Sequence, residues 1–112
     1  MADAMRENEI QAKIREALNR TDRVRLVRNS VGFDEIHKVR YGLGNGSPDL
    51  IGALRDGRVF AIECKRSAGG RVSLEQAAWW IAARRWGVTG GFARSVDEAM
   101  KLLDEAEESK KC

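Results

Sequence analysis

At 112 residues, with a formal net charge of +3 and a sequence pI of about 9.1, the chain has room for one domain with a real core and too little for two. Two cysteines, Cys64 inside an apolar run and Cys112 at the last position, argue against a disulfide framework and for a reducing, cytoplasmic setting. No apolar core follows Met1, so a signal peptide is not expected, and no stretch approaches a membrane span.

Residues 5–19 read as a helix with Ile10, Ile14, Ala17 and Leu18 on one face. Glu7 continues that inward stripe, Gln11 borders it, and Glu9 falls on the flank with Lys13 and Glu16. A first-turn acid also complements the helix dipole, so Glu7 has a structural reading beside a functional one, and Glu9 stays open as its alternative. Arg23 to Val31 reads as a strand. Residues 32–46 carry the weakest pattern: Phe33–Tyr41 admits an irregular strand, Gly42–Gly46 is a flexible loop, and His37 stands alone as a bystander. Two apolar runs follow, Asp49–Leu54 and Val59–Lys65, joined by the turn sequence Arg55-Asp56-Gly57-Arg58. After a loop at Ser67–Val72, a helix runs from Ser73 to Trp86 and stops at Gly87. Val88–Ala93 is a short strand. Ser95 caps a last helix with Val96, Ala99, Leu102 and Leu103 inward, fraying over residues 107–112. This order predicts an α/β sandwich around a mixed sheet.

The two apolar runs carry the chemistry. Alternation puts Glu63 and Lys65 on one face with Val59 and Ala61, and Phe60, Ile62 and Cys64 on the other. Leu50, Gly52 and Leu54 likewise oppose Asp49, Ile51 and Ala53. Both faces are apolar, as in strands covered on each side, and carboxylates at the end of such a strand are costly unless paired or bound to metal. Hairpin register decides whether they meet. A two-residue Asp56-Gly57 turn would set Asp49 opposite Cys64 and point it away from Glu63. A three-residue Arg55-Asp56-Gly57 loop, with Gly57 left-handed, brings Asp49 opposite Glu63 and is the expected form. Two carboxylates and an ammonium at one strand end suit a metal-dependent phosphodiesterase: hard oxygen ligands for Mg²⁺ or Mn²⁺, and a cation beside the attacking water.

Other residues carry two readings. Ser73-Leu74-Glu75-Gln76 matches a capping box, yet Gln76 is also placed to touch Lys65, a phosphate or a metal-bound water. Trp79, Trp80 and Trp86 at helical spacing are read as core. Residues 20–94 hold fourteen Lys/Arg against seven Asp/Glu, a basic middle suited to a phosphate backbone and equally to a solvated surface. Within it, Arg66 and Arg71 flank Gly69-Gly70 beside the motif, and Arg84 and Arg85 close the helix; these four are the phosphate-contact candidates.

Glu7, Gly46-Ser47-Pro48-Asp49, Glu63-Cys64-Lys65 after a 13-residue gap, and Gln76 together resemble the PD-(D/E)XK nuclease superfamily. More closely the chain resembles a stand-alone VRR-NUC domain, a branch similar to Holliday junction resolvases. The resemblance implies a single domain over residues 1–112 with a restriction-endonuclease-like fold, a central mixed sheet flanked by helices. It implies an Mg²⁺- or Mn²⁺-dependent endodeoxyribonuclease acting on branched or otherwise structured DNA, in a bacterial or phage-infected cell. Asp49, Glu63, the Cys64 carbonyl and Glu7 would then hold metal, with Lys65 and Gln76 completing the catalytic set. One chain offers one site, so symmetrical cutting of a junction implies a homodimer. Two other classes remain at this stage: a nucleic-acid-binding module that lost cleavage, and a small metal-binding interaction domain.

Overall fold

The computed structural model describes residues 6–66 and 70–109. The elements are α1 (Glu7–Arg20), β1 (Val24–Arg28), β2 (Gly32–Asp34), β3 (Val39–Tyr41), β4 (Leu50–Leu54), β5 (Val59–Cys64), α2 (Leu74–Arg85), β6 (Thr89–Ala93) and α3 (Val96–Glu108). Four strands form a mixed sheet in the order β1-β4-β5-β6, antiparallel except for the β5–β6 pair. The parallel pair needs a crossover, and α2 supplies it. The expected strand over 23–31 is shorter. The poorly patterned stretch after it folds as a separate two-stranded ribbon of β2 and β3 rather than one irregular strand.

One face of the sheet carries the core. Ile10, Ile14 and Leu18 of α1 and Ala99, Leu103 and Ala106 of α3 pack on Val24, Leu26, Leu50, Leu54, Phe60, Ile62 and Cys64. The inward stripes of α1 and α3 follow the 3.6-residue period, which is why the sequence displays them. Val96 and Leu102, expected inward, are only partly buried, and Ala106 takes a buried place instead. The helix bearing these residues stays regular to Glu108; of the expected frayed tail, residues 110–112 lie outside the described residues. Arg58, buried at the start of β5, donates to the Ala106 carbonyl at 2.8 Å and to the Ser109 carbonyl, capping the C-terminal end of α3.

The other face is covered unevenly. Trp80 of α2 packs against Phe92 of β6, their ring centroids 5.8 Å apart, so that side of the sheet is sheltered. Over β4 the cover runs out and Ala53 is exposed. The expectation of apolar cover on both faces therefore holds for β5 but only in part for β4.

The β4–β5 hairpin has the expected three-residue loop. Leu50 faces Ile62, Ile51 faces Ala61, Gly52 faces Phe60 and Ala53 faces Val59. The Leu54 amide donates to the Arg58 carbonyl at 2.9 Å, the Gly57 amide donates to the Leu54 carbonyl at 3.0 Å, and Gly57 has φ of 91°. Extending this pairing by one position sets Asp49 opposite Glu63. Gly46 is the second glycine the fold requires. Its φ is 83°, and a Cβ there would sit 2.3 Å from the Glu75 carbonyl oxygen.

These two glycines should differ measurably. Gly57 faces open space, so Gly57→Ala carries only the left-handed backbone cost and should lower unfolding free energy by about 1 kcal/mol in urea denaturation. Gly46→Ala adds a clash with helix backbone and should cost at least twice as much. Equal losses would mean that the 46–48 segment does not pack against α2.

Candidate active site

Asp49 enters β4 after Ser47 and Pro48, both buried, and a residue not singled out from the sequence holds this segment. The Asn29 side-chain amide donates to Ser47 Oγ and to the Pro48 carbonyl, each at 2.8 Å, and its Oδ1 accepts from the Leu43 amide at 3.2 Å. Its backbone amide donates to the Asp49 carbonyl at 2.7 Å. Asn29 thus ties the glycine loop, the Ser-Pro segment and the first site carboxylate together. An asparagine at the end of a strand run looks like an ordinary strand breaker, so no sequence signal marked it.

Glu63 and Lys65 are 3% and 5% exposed, far from the solvated edge pair that Glu-x-Lys spacing more often describes. Gln76 holds both. Its Nε2 donates to Glu63 Oε2 at 2.8 Å, and its Oε1 accepts from Lys65 Nζ at 2.7 Å. The same Oε1 also accepts from the Ser73 amide at 3.1 Å, while the Gln76 amide donates to Ser73 Oγ at 3.1 Å. The capping box and the contact with Lys65 are therefore one arrangement, not alternatives. Lys65 Nζ makes a second bond, to the Arg71 carbonyl at 2.6 Å, and lies 3.8 Å from Glu63 Oε2. Glu63 Oε1 is buried with no hydrogen-bond partner among the described residues.

Asp49 Oδ2 accepts from the Cys64 amide at 2.9 Å. The Cys64 side chain lies in the core on the opposite face, where burial pushes its thiol pKa up; only its main chain is available to the site. Glu7 comes near enough for its charge to help raise the pKa values of Asp49 and Glu63, whereas Glu9 is exposed and accepts from the Arg6 amide at 3.1 Å. Helix geometry thus favours Glu7 over Glu9. A cleft of about 490 Å³ opens beside the pair. Its lining includes Gln11, Arg28, Asn29, Asp49, Glu63 and Gln76.

The basic candidates separate. Arg84, also exposed, is engaged with its own fold: its guanidinium donates to the Gly90 carbonyl at 2.9 Å and stacks over the Trp80 ring at 5.3 Å. Arg66, Arg71 and Arg85 are exposed. Of the flanking glycine pair, Gly69 lies outside the described residues. Arg94, which sequence reading passed over, donates to the Arg66 and Gly70 carbonyls at 2.7 and 3.1 Å and so spans both ends of that loop. Trp80 is core as expected and Trp79 half-buried, but Trp86 is 88% exposed. His37 bonds Asp34 at 2.6 Å on the β2–β3 ribbon, where that contact lowers the Asp34 pKa.

Burial and mutual repulsion dominate the electrostatics. Burial, then the Asp49 charge, raises the Glu63 pKa from 4.5 to about 8, with Lys65 pulling the other way. Asp49 is raised too, chiefly by burial, against the lowering effect of the Cys64 amide. Two facing carboxyls held above their ordinary range form a site whose mutual repulsion a divalent cation would relieve. Among the described residues no group of three or more His, Cys, Asp or Glu side chains is gathered to enclose a metal. Carboxylate oxygens are hard donors, and Asp49 and Glu63 are the side chains at this strand end that could hold a hard divalent ion.

The fold and this strand-end arrangement define a restriction-endonuclease-like α/β architecture. The chain is similar to a solved structure described as a VRR_NUC domain, with a TM-score of 0.64 and 18% sequence identity over 88% of this chain and 94% of that one. No family model matches the chain, and no curated protein matches its sequence. No helix among the described residues is long and apolar enough to cross a membrane.

The raised carboxyl pKa values have a consequence for stability. The folded protein holds these protons more tightly than the unfolded chain does. For Glu63 that contribution is fully present below about pH 4.5 and lost as pH rises through about 8. In chelator-treated protein the Tm should fall between about pH 5 and 9, and Glu63→Gln should flatten that slope. A wild-type profile that is level or rising across this window would show that Glu63 is not held protonated.

Proposed function

We propose that this protein is a metal-dependent endonuclease that hydrolyses phosphodiester bonds in branched or otherwise structured DNA. The observation that carries the reading is the buried Glu63 carboxyl, set opposite Asp49 and beside the Lys65 ammonium at the mouth of a cleft. A structural ion pair has no need of a second carboxyl facing the first, and the two repel each other. The likeness to a VRR_NUC domain supports a nuclease in preference to another use of the same fold.

Asp49 and Glu63 would hold the ion, with the Cys64 carbonyl and Glu7 completing or flanking its shell. Bound there, Mg²⁺ or Mn²⁺ would lower the pKa of a water and neutralise charge on the scissile phosphate. Lys65 has two of its three N–H donors committed, to Arg71 and Gln76, which fixes the ammonium and leaves one donor for the attacking water or the phosphoryl oxygen. Its charge would stabilise the phosphorane as the water oxygen bonds to phosphorus and the bond to the leaving sugar oxygen breaks. Gln76 would keep Glu63 and Lys65 in mutual register. The exposed Arg66, Arg71 and Arg85 would contact the DNA backbone; symmetrical cutting of a four-way junction would call for two copies in a twofold dimer.

Incubation with a four-way junction, plain duplex and single strand, with and without Mg²⁺, tests this directly. Cleavage should require the metal, and Asp49→Ala or Lys65→Ala should lower it by at least about 10²-fold while circular dichroism is retained. Asp49→Ala should weaken Mn²⁺ binding more than Lys65→Ala, since only Asp49 is a ligand. Near-native turnover in either variant would end the assignment, and metal-independent binding without any cleavage would leave a binding module.

DNA affinity should also fall steeply with salt. Arg66→Ala and Arg71→Ala should each reduce the log–log slope by about one unit, while Arg84→Ala, whose guanidinium is engaged with the Gly90 carbonyl and the Trp80 ring, should change it less. A salt-insensitive interaction would rule out the phosphate contacts.

A further inference from the structure

The β2–β3 ribbon carries large apolar side chains that the fold leaves in water. Phe33 is 41% exposed, Val39 54%, and Ile36, in the turn between the strands, 85%. The two strands pair with each other and with no other described strand. A hairpin of three residues a side is marginal by itself, and apolar groups at its surface and tip add no core to it. Such groups mark a contact surface.

Where the ribbon is rooted says what it meets. Ser30 and Val31, which lead into β2, line the cleft that holds Asp49 and Glu63. On the return side the Leu43 amide donates to Asn29 Oδ1, and the Asn29 amide donates to the Asp49 carbonyl. At Gly42, φ is 89° and a Cβ would sit 2.3 Å from the Ser30 carbonyl oxygen, so the two legs of the ribbon cross in close contact. Both legs are thus fixed to the segment that carries the first site carboxyl, and the surface of the cleft continues onto the ribbon.

Its chemistry narrows the occupant. Phe33 and Arg40 are cross-strand partners and share a face. The Arg40 guanidinium lies over the Phe33 ring, 5.9 Å from its centroid. The acids of the ribbon are taken up within it, Asp34 by His37 at 2.6 Å and Glu35 by Lys38 at 3.8 Å. Arg40 is exposed and has no ion-pair partner among the described residues, and the same holds for Arg28 at the cleft. Two uncompensated cations favour a polyanion over an apolar protein surface. An aromatic ring beside a guanidinium plane is a platform on which unpaired bases stack, with the cation placed for phosphate.

We propose, on the reading of the cleft as a DNA site, that the ribbon is what distinguishes branched DNA from paired duplex. Phe33 and Arg40 hold a base that has left its pair beside the cleft, and Ile36 at the tip enters the opened stack. Three strand residues at about 3.3 Å each give a reach of about 10 Å, the span of about three stacked nucleotides.

Fluorescence anisotropy on a splayed-arm DNA and a fully paired duplex of equal length tests it, with chelator present so that nothing is cut. The wild type should bind the splayed-arm DNA about tenfold tighter, the scale of one stacked base. Phe33→Leu should lose that preference and Phe33→Trp should keep it. Leucine fills the ribbon position without a π face, so this pair separates stacking from the folding of the ribbon. Ile36→Asp, at a position open to water, should weaken splayed-arm binding more than duplex binding. Arg40→Ala should lower the salt slope by about one unit. Equal wild-type affinity for the two DNAs would overturn the proposal, and so would a preference that survives both Phe33→Leu and Ile36→Asp. Either result beside Mg²⁺-dependent cleavage would remove the ribbon and keep the nuclease. A preference that Phe33→Leu abolishes, in a protein that cuts neither DNA, would keep the ribbon and remove the nuclease.

Discussion

Everything at the candidate site depends on the register of one hairpin. Side chains alternate along a strand, so a slip of one residue between β4 and β5 would leave Glu63 under α2 and turn Asp49 to the far side of the sheet. The three-residue loop closed by Gly57 sets that register, and the buried faces lock it. Leu50 and Leu54 on β4, with Phe60 and Ile62 on β5, must all face the α1–α3 core at once. The chemistry and the packing are thus not independent: the same alternation that buries four large apolar side chains brings two carboxyls together.

Bringing them together is unfavourable in itself. Two acids and a lysine lose water, and the acids repel each other. The protein offsets part of this locally. Gln76 donates to Glu63 and accepts from Lys65, the Cys64 amide donates to Asp49, and the Arg71 carbonyl takes a second Lys65 proton. What remains is burial and the repulsion between the two carboxyls, which together raise the Glu63 pKa to about 8. That residue of strain is the physical basis for expecting a cation.

α2 serves three surfaces with twelve residues. Its first turn reaches the site through Gln76, its middle packs Trp80 on the sheet, and its outer stripe faces away from both. The capping box explains how the contact with Lys65 and a helix start can share one side chain. The Gln76 carbonyl oxygen has two lone pairs, and Ser73 and Lys65 take one each.

The order of elements, the inward stripes of α1 and α3, the hairpin loop and the Asp49–Glu63–Lys65 set were legible in the sequence. Each is written in local spacing: a 3.6-residue period, a 2-residue period, a glycine where φ must be positive. The β2–β3 ribbon was not, because Gly32–Tyr41 has no alternation and pairs only with itself. The roles of Asn29, Arg58 and Arg94 were equally hidden. Each acts on carbonyls or amides distant in the chain, and a polar side chain gives no local sign of which backbone it will meet. Nor did the sequence separate Arg84 from Arg85, adjacent, chemically identical and both exposed; only the position of the Gly90 carbonyl and the Trp80 ring decides which of them contacts its own fold. Periodicity determines which face a residue occupies, and long-range packing alone determines what waits there.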